Sequence, residues 1–242
     1  MNIDILYDVN QILKKNYNGF LYDPSSNAFH SLSKENTNDI ATFVSVNDSE
    51  FYDKVFEVTS TSNFFAAFKS IKKKDVVVFN IVNGKFEVLI NNEKIENNFI
   101  RLVPEEREIE ISEKLDYIFS LEDEKVFSTK EFSLVNDHKE NLGLNTTLAH
   151  LQSVLKENRA ITNHLIFMFE FDTKKEEIVI HKKASSLNLN NKFIILDGSY
   201  LTKLGTKEAE YTPVSFTFLE KNCVKVTHGT KVLTQSVFIR YA

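Results

Sequence analysis

The sequence predicts an α+β protein of two domains, each with helices packed on antiparallel sheet. Three observations carry this. Each half of the chain reads as a helix, a group of strands, a second helix and further strands. The strand runs are joined by turn signals, of which Asn83-Gly84 is the strongest. A densely charged segment, Pro104-Glu105-Glu106-Arg107-Glu108-Ile109-Glu110, separates the halves. The domains are therefore drawn as 1–103 and 115–242, with 104–114 as an extended interdomain connector. The alternative for this segment is an edge strand with alternating glutamates.

In the first half, Asp4 to Asn16 is a helix. Ile5, Leu6, Val9, Ile12 and Leu13 share one side, with Tyr7, Asn10, Gln11 and Lys14 opposite. Asn18-Gly19 ends it. Phe20-Leu21-Tyr22 is a strand that meets the turn Asp23-Pro24-Ser25-Ser26-Asn27, and Ala28 to Leu32 returns. Ile40 to Val46 and Phe51 to Val58 are further strands. Ser62 to Lys74 is the second helix, with Ser62 or Asn63 as its N-cap. It turns Phe64, Phe65, Phe68 and Ile71 inward and Ala66, Lys69, Ser70 and Lys73 outward. Val76 to Ile81 and Lys85 to Ile90 form a hairpin, and Lys94 to Leu102 adds a strand.

In the second half, Leu115 to Leu121 reads as a strand, Glu122 to Leu134 is ambiguous, and Asn136 to Asn141 is a loop. Asn145-Thr146-Thr147 caps a helix through Ala160, with Leu144, Leu148, Leu151, Val154 and Leu155 on one side. Leu165 to Phe171 and Glu177 to His181 form a hairpin, and Lys192 to Leu196 is a strand. Gly198 to Gly205 is a short helix. Val214 to Leu219, Val224 to His228 and Leu233 to Tyr241 close the chain as three strands.

With 242 residues, 42% hydrophobic and 26% charged, the chain can bury a sizeable core. Only 6 Gly and 3 Pro argue against a glycine-rich phosphate loop and against long flexible linkers. The formal charge of -5 excludes a protein that merely coats nucleic acid, so such a role needs positive charge segregated on an acidic body. Cys223 is the single cysteine, which rules out an intrachain disulfide and a cysteine zinc cluster and fits a reduced, cytoplasmic setting. The N-terminus lacks the basic start and apolar core of a signal peptide, and no run reaches the roughly 18 apolar residues of a membrane span.

Catalytic chemistry finds little footing. His30, His138, His150, His164, His181 and His228 show no metal-ligand spacing, so no metal or cofactor is expected. There is no nucleophile elbow, Walker loop or dinucleotide fingerprint. Nothing near Cys223 would activate it, and a structural thiol is the simpler reading. The carboxylate runs Glu105 to Glu110 and Glu122-Asp123-Glu124 sit in connector-like sequence, away from any rigid cleft.

Lysines on helices remain. Lys14 and Lys15 follow the first helix, and Lys69, Lys72, Lys73 and Lys74 the second. Lys156 and Arg159 belong to the third, and Lys203 and Lys207 to the fourth. Each alone reads as a solvated surface face. Together they give each half two helices with a basic outer side, a device that holds phosphates without reading sequence.

The chain resembles the DNA sliding clamps, the processivity factors of DNA polymerases. It is most similar to the T-even phage type, and more distantly to proliferating cell nuclear antigen (PCNA) and the bacterial beta clamp. The resemblance is carried by Val55-Phe56-Glu57-Val58, Asn63-Phe64-Phe65-Ala66-Ala67-Phe68, Asp75-Val76-Val77-Val78 and Asn83-Gly84-Lys85-Phe86-Glu87-Val88. In the second half it is carried by Phe193-Ile194-Ile195-Leu196, Tyr200-Leu201, Val214-Ser215-Phe216-Thr217-Phe218, Val224-Lys225-Val226 and Val237-Phe238-Ile239-Arg240-Tyr241. These match in apolar pattern and order of elements and contain no signature motif. The stretch Glu122 to Asn141 departs from the pattern.

The resemblance implies the DNA clamp fold, with two clamp-type domains per chain and subunits joined edge to edge into a closed ring, a homotrimer for two-domain chains. It implies a non-enzymatic protein that encircles duplex DNA independently of sequence. Lys14, Lys15, Lys69, Lys73, Lys74, Lys156, Arg159, Lys203 and Lys207 would face the phosphates. It also implies a DNA polymerase and a clamp loader as partners, docking by short peptides in a pocket drawn from Ile100, Leu102, Val103, Ile239 and Tyr241. The alternative for those five residues is strand core. If the protein is viral, its place is the host cytoplasm. The competing reading of the whole is a structural or interaction protein of similar build, such as a virion component, whose lysines are merely solvated.

Overall fold

Leu6, Val9, Ile12 and Leu13 recur every three or four residues and are at most 6% exposed, so Ile3–Leu13 winds into α1. Asn2 caps it by accepting the amide of Asp4 at 2.9 Å. The structure, a computed structural model, describes residues 2–14, 17–32, 39–47, 50–69, 71–72, 74–137, 140–161, 166–181, 186–197 and 213–240. The chain divides into two units, Met1–Glu35 with Ala41–Ser120, and Asn36–Ile40 with Leu121–Ala242.

In unit 1, α1 is followed by β1 (Phe20–Asp23), β2 (Ala28–Leu32), β3 (Asp39–Val46), β4 (Phe56–Val58) and α2 (Thr61–Phe68). Then come β5 (Val77–Val82), β6 (Lys85–Ile90), β7 (Glu93–Ile95), β8 (Ile100–Leu102) and α3 (Glu105–Phe119). One sheet has the order β8-β4-β1-β2-β3, all neighbours antiparallel. A separate meander has the order β5-β6-β7. Aromatic rings fill the interior: Tyr22 lies 5.0 Å from Phe29 and 5.3 Å from Phe56, and Phe56 lies 5.8 Å from Phe86. From α2, Phe64 and Phe68 both reach the Phe99 ring, at 5.7 Å.

Three sequence expectations in this unit are corrected. The strand expected from Phe51 to Val58 is reduced to β4, and Phe51 instead plugs the aromatic core at 5.1 Å from Phe29. The strand expected from Lys94 to Leu102 is two strands. Asn91 and Asn92, with φ of 53° and 68°, make a second tight hairpin before β7. Asn97 then closes the corner before β8, donating to the carbonyls of Phe86 and Ile100 and accepting the amides of Phe99 and Ile100.

The third correction concerns 104–114, expected to be extended. It opens α3, a helix of 15 residues that also absorbs most of the strand expected from Leu115 to Leu121. Pro104 stands at its N-cap with extended backbone, and Glu105, Glu106 and Glu108 occupy the first turn, where the helix dipole favours negative charge. Leu115 and Ile118 are buried, one turn and two turns after Ile111. That apolar spacing outweighs the look of alternating glutamates.

Unit 2 holds β9 (Asp123–Ser128), β10 (Ser133–Asn136), β11 (Asn141–Gly143), α4 (Leu148–Ile161), β12 (Ile166–Asp172) and β13 (Glu177–His181). It ends with β14 (Lys192–Asp197), β15 (Ser215–Leu219), β16 (Cys223–Gly229) and β17 (Leu233–Arg240). One sheet has the order β11-β10-β13-β12-β14, in which β10 and β13 run parallel. The other places β17, β16, β15 and β9 side by side, antiparallel. The ambiguous stretch after Glu122 is thus resolved as β9, with Phe127 fully buried. The core joins Leu148, Leu151 and Leu155 of α4 to Phe167, Phe169 and Phe171 of β12 and to Phe216, Phe218, Val226 and Val237. Leu144, expected on the inner side of the helix, precedes it and is 55% exposed. The short helix expected at Gly198 to Gly205 lies outside the described residues.

Candidate nucleic-acid interface

Helices α1 and α2 of unit 1 are tied by contacts one turn apart. Asn10, fully buried on α1, donates from Nδ2 to the carbonyl of Thr61 at the start of α2, at 3.2 Å. One turn further along both helices Lys14, the C-cap of α1, sets its Nζ 3.7 Å from the centroid of the Phe65 ring. Tyr7 stacks on the same ring with centroids 6.0 Å apart. Phe65 is thus half-buried between two α1 side chains, whereas Phe64 and Phe68 are in the core.

The expected lysine helix is shorter than its sequence suggests. Its N-cap is Ser60, whose hydroxyl accepts the Asn63 amide at 3.2 Å, ahead of the expected Ser62 or Asn63. It ends at Phe68, with Lys69 as an exposed C-cap. The chain then turns, because Asp75 accepts the Lys72 amide at 2.8 Å and returns its own amide to the Lys72 carbonyl at 2.9 Å. The Lys72 amide and the side-chain amide of Asn91, both donating to the Asp75 carboxyl, hold it below its usual range. Lys74 therefore belongs to a turn, with no helical face to share with Lys69.

The structure brings Lys14 and Lys69 to the C-terminal ends of two packed helices, where positive charge complements the helix dipoles. Lys156 and Arg159 fall within α4, and nothing is described of their side chains. The described outer positions of α4 are Ala149, His150, Ser153 and Glu157. Lys15, Lys73, Lys203 and Lys207 lie outside the described residues.

Of the expected peptide pocket, Ile100 is 3% exposed in β8 opposite Val58, and Ile239 is 2% exposed in β17 within the core of unit 2. Both serve as strand core. Leu102 and Val103 are half-buried, and Tyr241 lies outside the described residues.

Sequence reading missed the ion pairs of Glu57. This buried β4 carboxylate meets Arg101 on β8 and, at 3.1 Å, the Nη2 of Arg107 on α3. The partners stand 44 and 50 positions away along the chain, so no local pattern announces them. Cys223 is buried, and burial pushes its thiol up to about 11, which suits packing and not nucleophilic attack. Among the described residues no group of three or more His, Cys, Asp or Glu is arranged to hold a metal ion. Likewise among them, no helix is long and apolar enough to cross a membrane.

No protein-family model matches the chain. A comparison with curated proteins finds no match. Solved structures do match. PCNA from A. fulgidus, bound to the C-terminal region of FEN-1, superposes with a TM-score of 0.54 at 11% identity, covering 100% of this chain and 96% of that one. PCNA from Thermococcus kodakaraensis gives 0.54 at 10%, covering 100% and 98%. The PCNA2-PCNA3 complex from Sulfolobus tokodaii gives 0.50 at 11%, covering 98% and 96%. At such identities the likeness is one of fold, and the fold of this chain is that of the PCNA-type clamp.

Proposed function

We propose that the chain is a DNA sliding clamp: it encircles duplex DNA without reading sequence and tethers a replicative polymerase. The observation that carries this reading is the fold likeness to PCNA over 100% of the chain and 96% or more of the matched chains. Lys14 and Lys69 supply a basic end to the α1–α2 pair on a body of net charge -5.

The finer parts of the reading belong with it: a homotrimeric ring, loading by a clamp loader, kinship with the T-even phage clamps, and work in the cytoplasm. Oligomery is supported by the Sulfolobus tokodaii PCNA2-PCNA3 complex, and peptide docking by the A. fulgidus PCNA that holds part of FEN-1. Half-buried Leu102 and Val103 are the accessible members of the partner-peptide pocket in this reading. The division into clamp domains around the segment 104–114 is retained in functional terms, with α3 as the linking element.

The test is topological. The protein, loaded on nicked circular DNA, should stay bound through gel filtration and be lost when the circle is linearised. Light scattering should give a mass of three chains, or a whole multiple of three where rings associate. Replacing Lys14 and Lys69 together by Glu should reduce retention at least tenfold while circular dichroism stays unchanged. Equal loss from circles and linear DNA, or a monomer at high concentration, would sink the clamp reading in favour of a plain interaction protein.

A further inference from the structure

The two units each contain a three-stranded antiparallel meander, β5-β6-β7 in unit 1 and β15-β16-β17 in unit 2. In unit 2 the first strand of the meander is covered. β9 lies along β15, pairing Phe127 with Phe216 and Val126 with Thr217. In unit 1, among the described residues, β5 ends its sheet. This open edge is apolar: Val76, Val78 and Val82 are 61%, 36% and 43% exposed, and no charged residue occurs from Val76 to Val82. It carries none of the lysines, prolines or bulges with which sheet edges are normally blunted.

We infer that the β5 edge pairs with β5 of a second copy of this chain, antiparallel, with the two-fold axis at Phe79. The phase of the ladder leads to this register. Asn91 donates its amide to the Val76 carbonyl at 2.8 Å, and Val76 pairs next to Val77↔Ile90. In an antiparallel ladder bonded pairs alternate, so residues 76, 78, 80 and 82 bond toward β6. Val77, Phe79 and Ile81 therefore turn their N–H and C=O groups to the open side.

A two-fold axis at Phe79 maps these three positions onto one another. Phe79 meets Phe79 of the second copy, and Val77 meets Ile81, giving about six backbone hydrogen bonds. Val78 meets Asn80, and Val76 meets Val82, so no like charges are opposed. The pairing supplies to β5 what β9 supplies to β15. It is an isologous contact, distinct from the unlike surfaces that close a ring, and it stands whether or not the chain encircles DNA.

Two measurements test it. In hydrogen exchange on the unaltered full chain, the amides of Val77, Phe79 and Ile81 should slow at least tenfold as concentration rises, while Val78 and Asn80 change less. A Phe79→Cys variant should form a covalent dimer on oxidation, because paired Cα atoms at the axis lie about 5.5 Å apart, within disulfide reach. A Val82→Cys variant should not, since its two copies would stand about 20 Å apart along the strands. The native Cys223 is buried and does not compete. Phe79 packs 6.2 Å from Phe68, so if the variant fails to fold the exchange measurement decides alone. Concentration-independent exchange at 77, 79 and 81 would overturn the inference. So would equal cross-linking of both variants, or protection only when a peptide copying β9 is added.

Discussion

Lys14 holds its ammonium 3.7 Å from the centre of the Phe65 ring, and so joins the end of α1 to the middle of α2. The contact places a cation at the helix pair and stabilises the pair at the same time. The two roles separate by substitution. Lys14→Ala should cost about 0.5–1 kcal/mol in urea unfolding. In the Phe65→Ala background the same change should cost less, and that coupling is the readout. Equal cost in both backgrounds would show that the ring contact contributes nothing.

Glu57 organises a second junction. Its carboxylate is 8% exposed and binds Arg101 and Arg107, whose side chains are 57% and 51% exposed. Because both arginines keep water on one side, the pairs are worth less than fully buried ones. Glu57→Ala should cost about 1–2 kcal/mol. Its signature should be local: amide exchange in α3 should quicken more than in β1 or β2, since Arg107 is the α3 residue that Glu57 holds. Uniform quickening would argue for general loosening of the unit.

Stability should fall in mild acid through His228. The side chain is 4% exposed and accompanied by Gln235, and burial pulls its pKa from 6.5 down to about 4. The unfolded chain binds this proton more readily than the folded one, so stability rises with pH between those values. It is fully present above about pH 6.5 and is lost as pH falls toward 4, by up to about 3 kcal/mol. His228→Gln should flatten this part of the stability–pH curve from urea titrations. An unchanged slope would count against it.

Gly19 is fixed by space. A Cβ there would sit 2.5 Å from the carbonyl oxygen of Val58, an atom of the β4 backbone that cannot rotate away. Gly19→Ala should therefore cost about 1–3 kcal/mol and lower the melting temperature, because β1 and β4 must separate locally. A melting temperature equal to that of the unaltered chain would refute the close approach.

Much of the fold was legible where periodicity and turn chemistry agree. α1, the hairpin at Asn83-Gly84, the β12–β13 hairpin and the last three strands all follow the apolar spacing of their residues. Errors arose where one signal masked another. The glutamates after Pro104 hid the Ile111, Leu115, Ile118 spacing that makes α3 a helix. The lysines after Lys69 looked like a continued helix face, although Asp75 could close a turn back on Lys72. The site was less legible than the fold. Ile100 and Ile239 read as possible contact residues because sequence shows hydrophobicity and not depth. The Phe65 clasp and the Glu57 ion pairs depend on residues brought together by folding, which no local window contains.

Among the described residues eight non-glycine residues have positive φ, and six of them are asparagines: Asn27, Asn83, Asn91, Asn92, Asn145 and Asn222. The consequence lies in the unfolded chain. Asparagine tolerates the left-handed region but roams less widely than glycine, so each such turn loses less disorder when it closes. Tight hairpins of this kind close in microseconds. The β5-β6-β7 meander, with Asn83 and Asn91-Asn92 at its two corners, is therefore expected to assemble early, before the long-range pairing of β4 with β8.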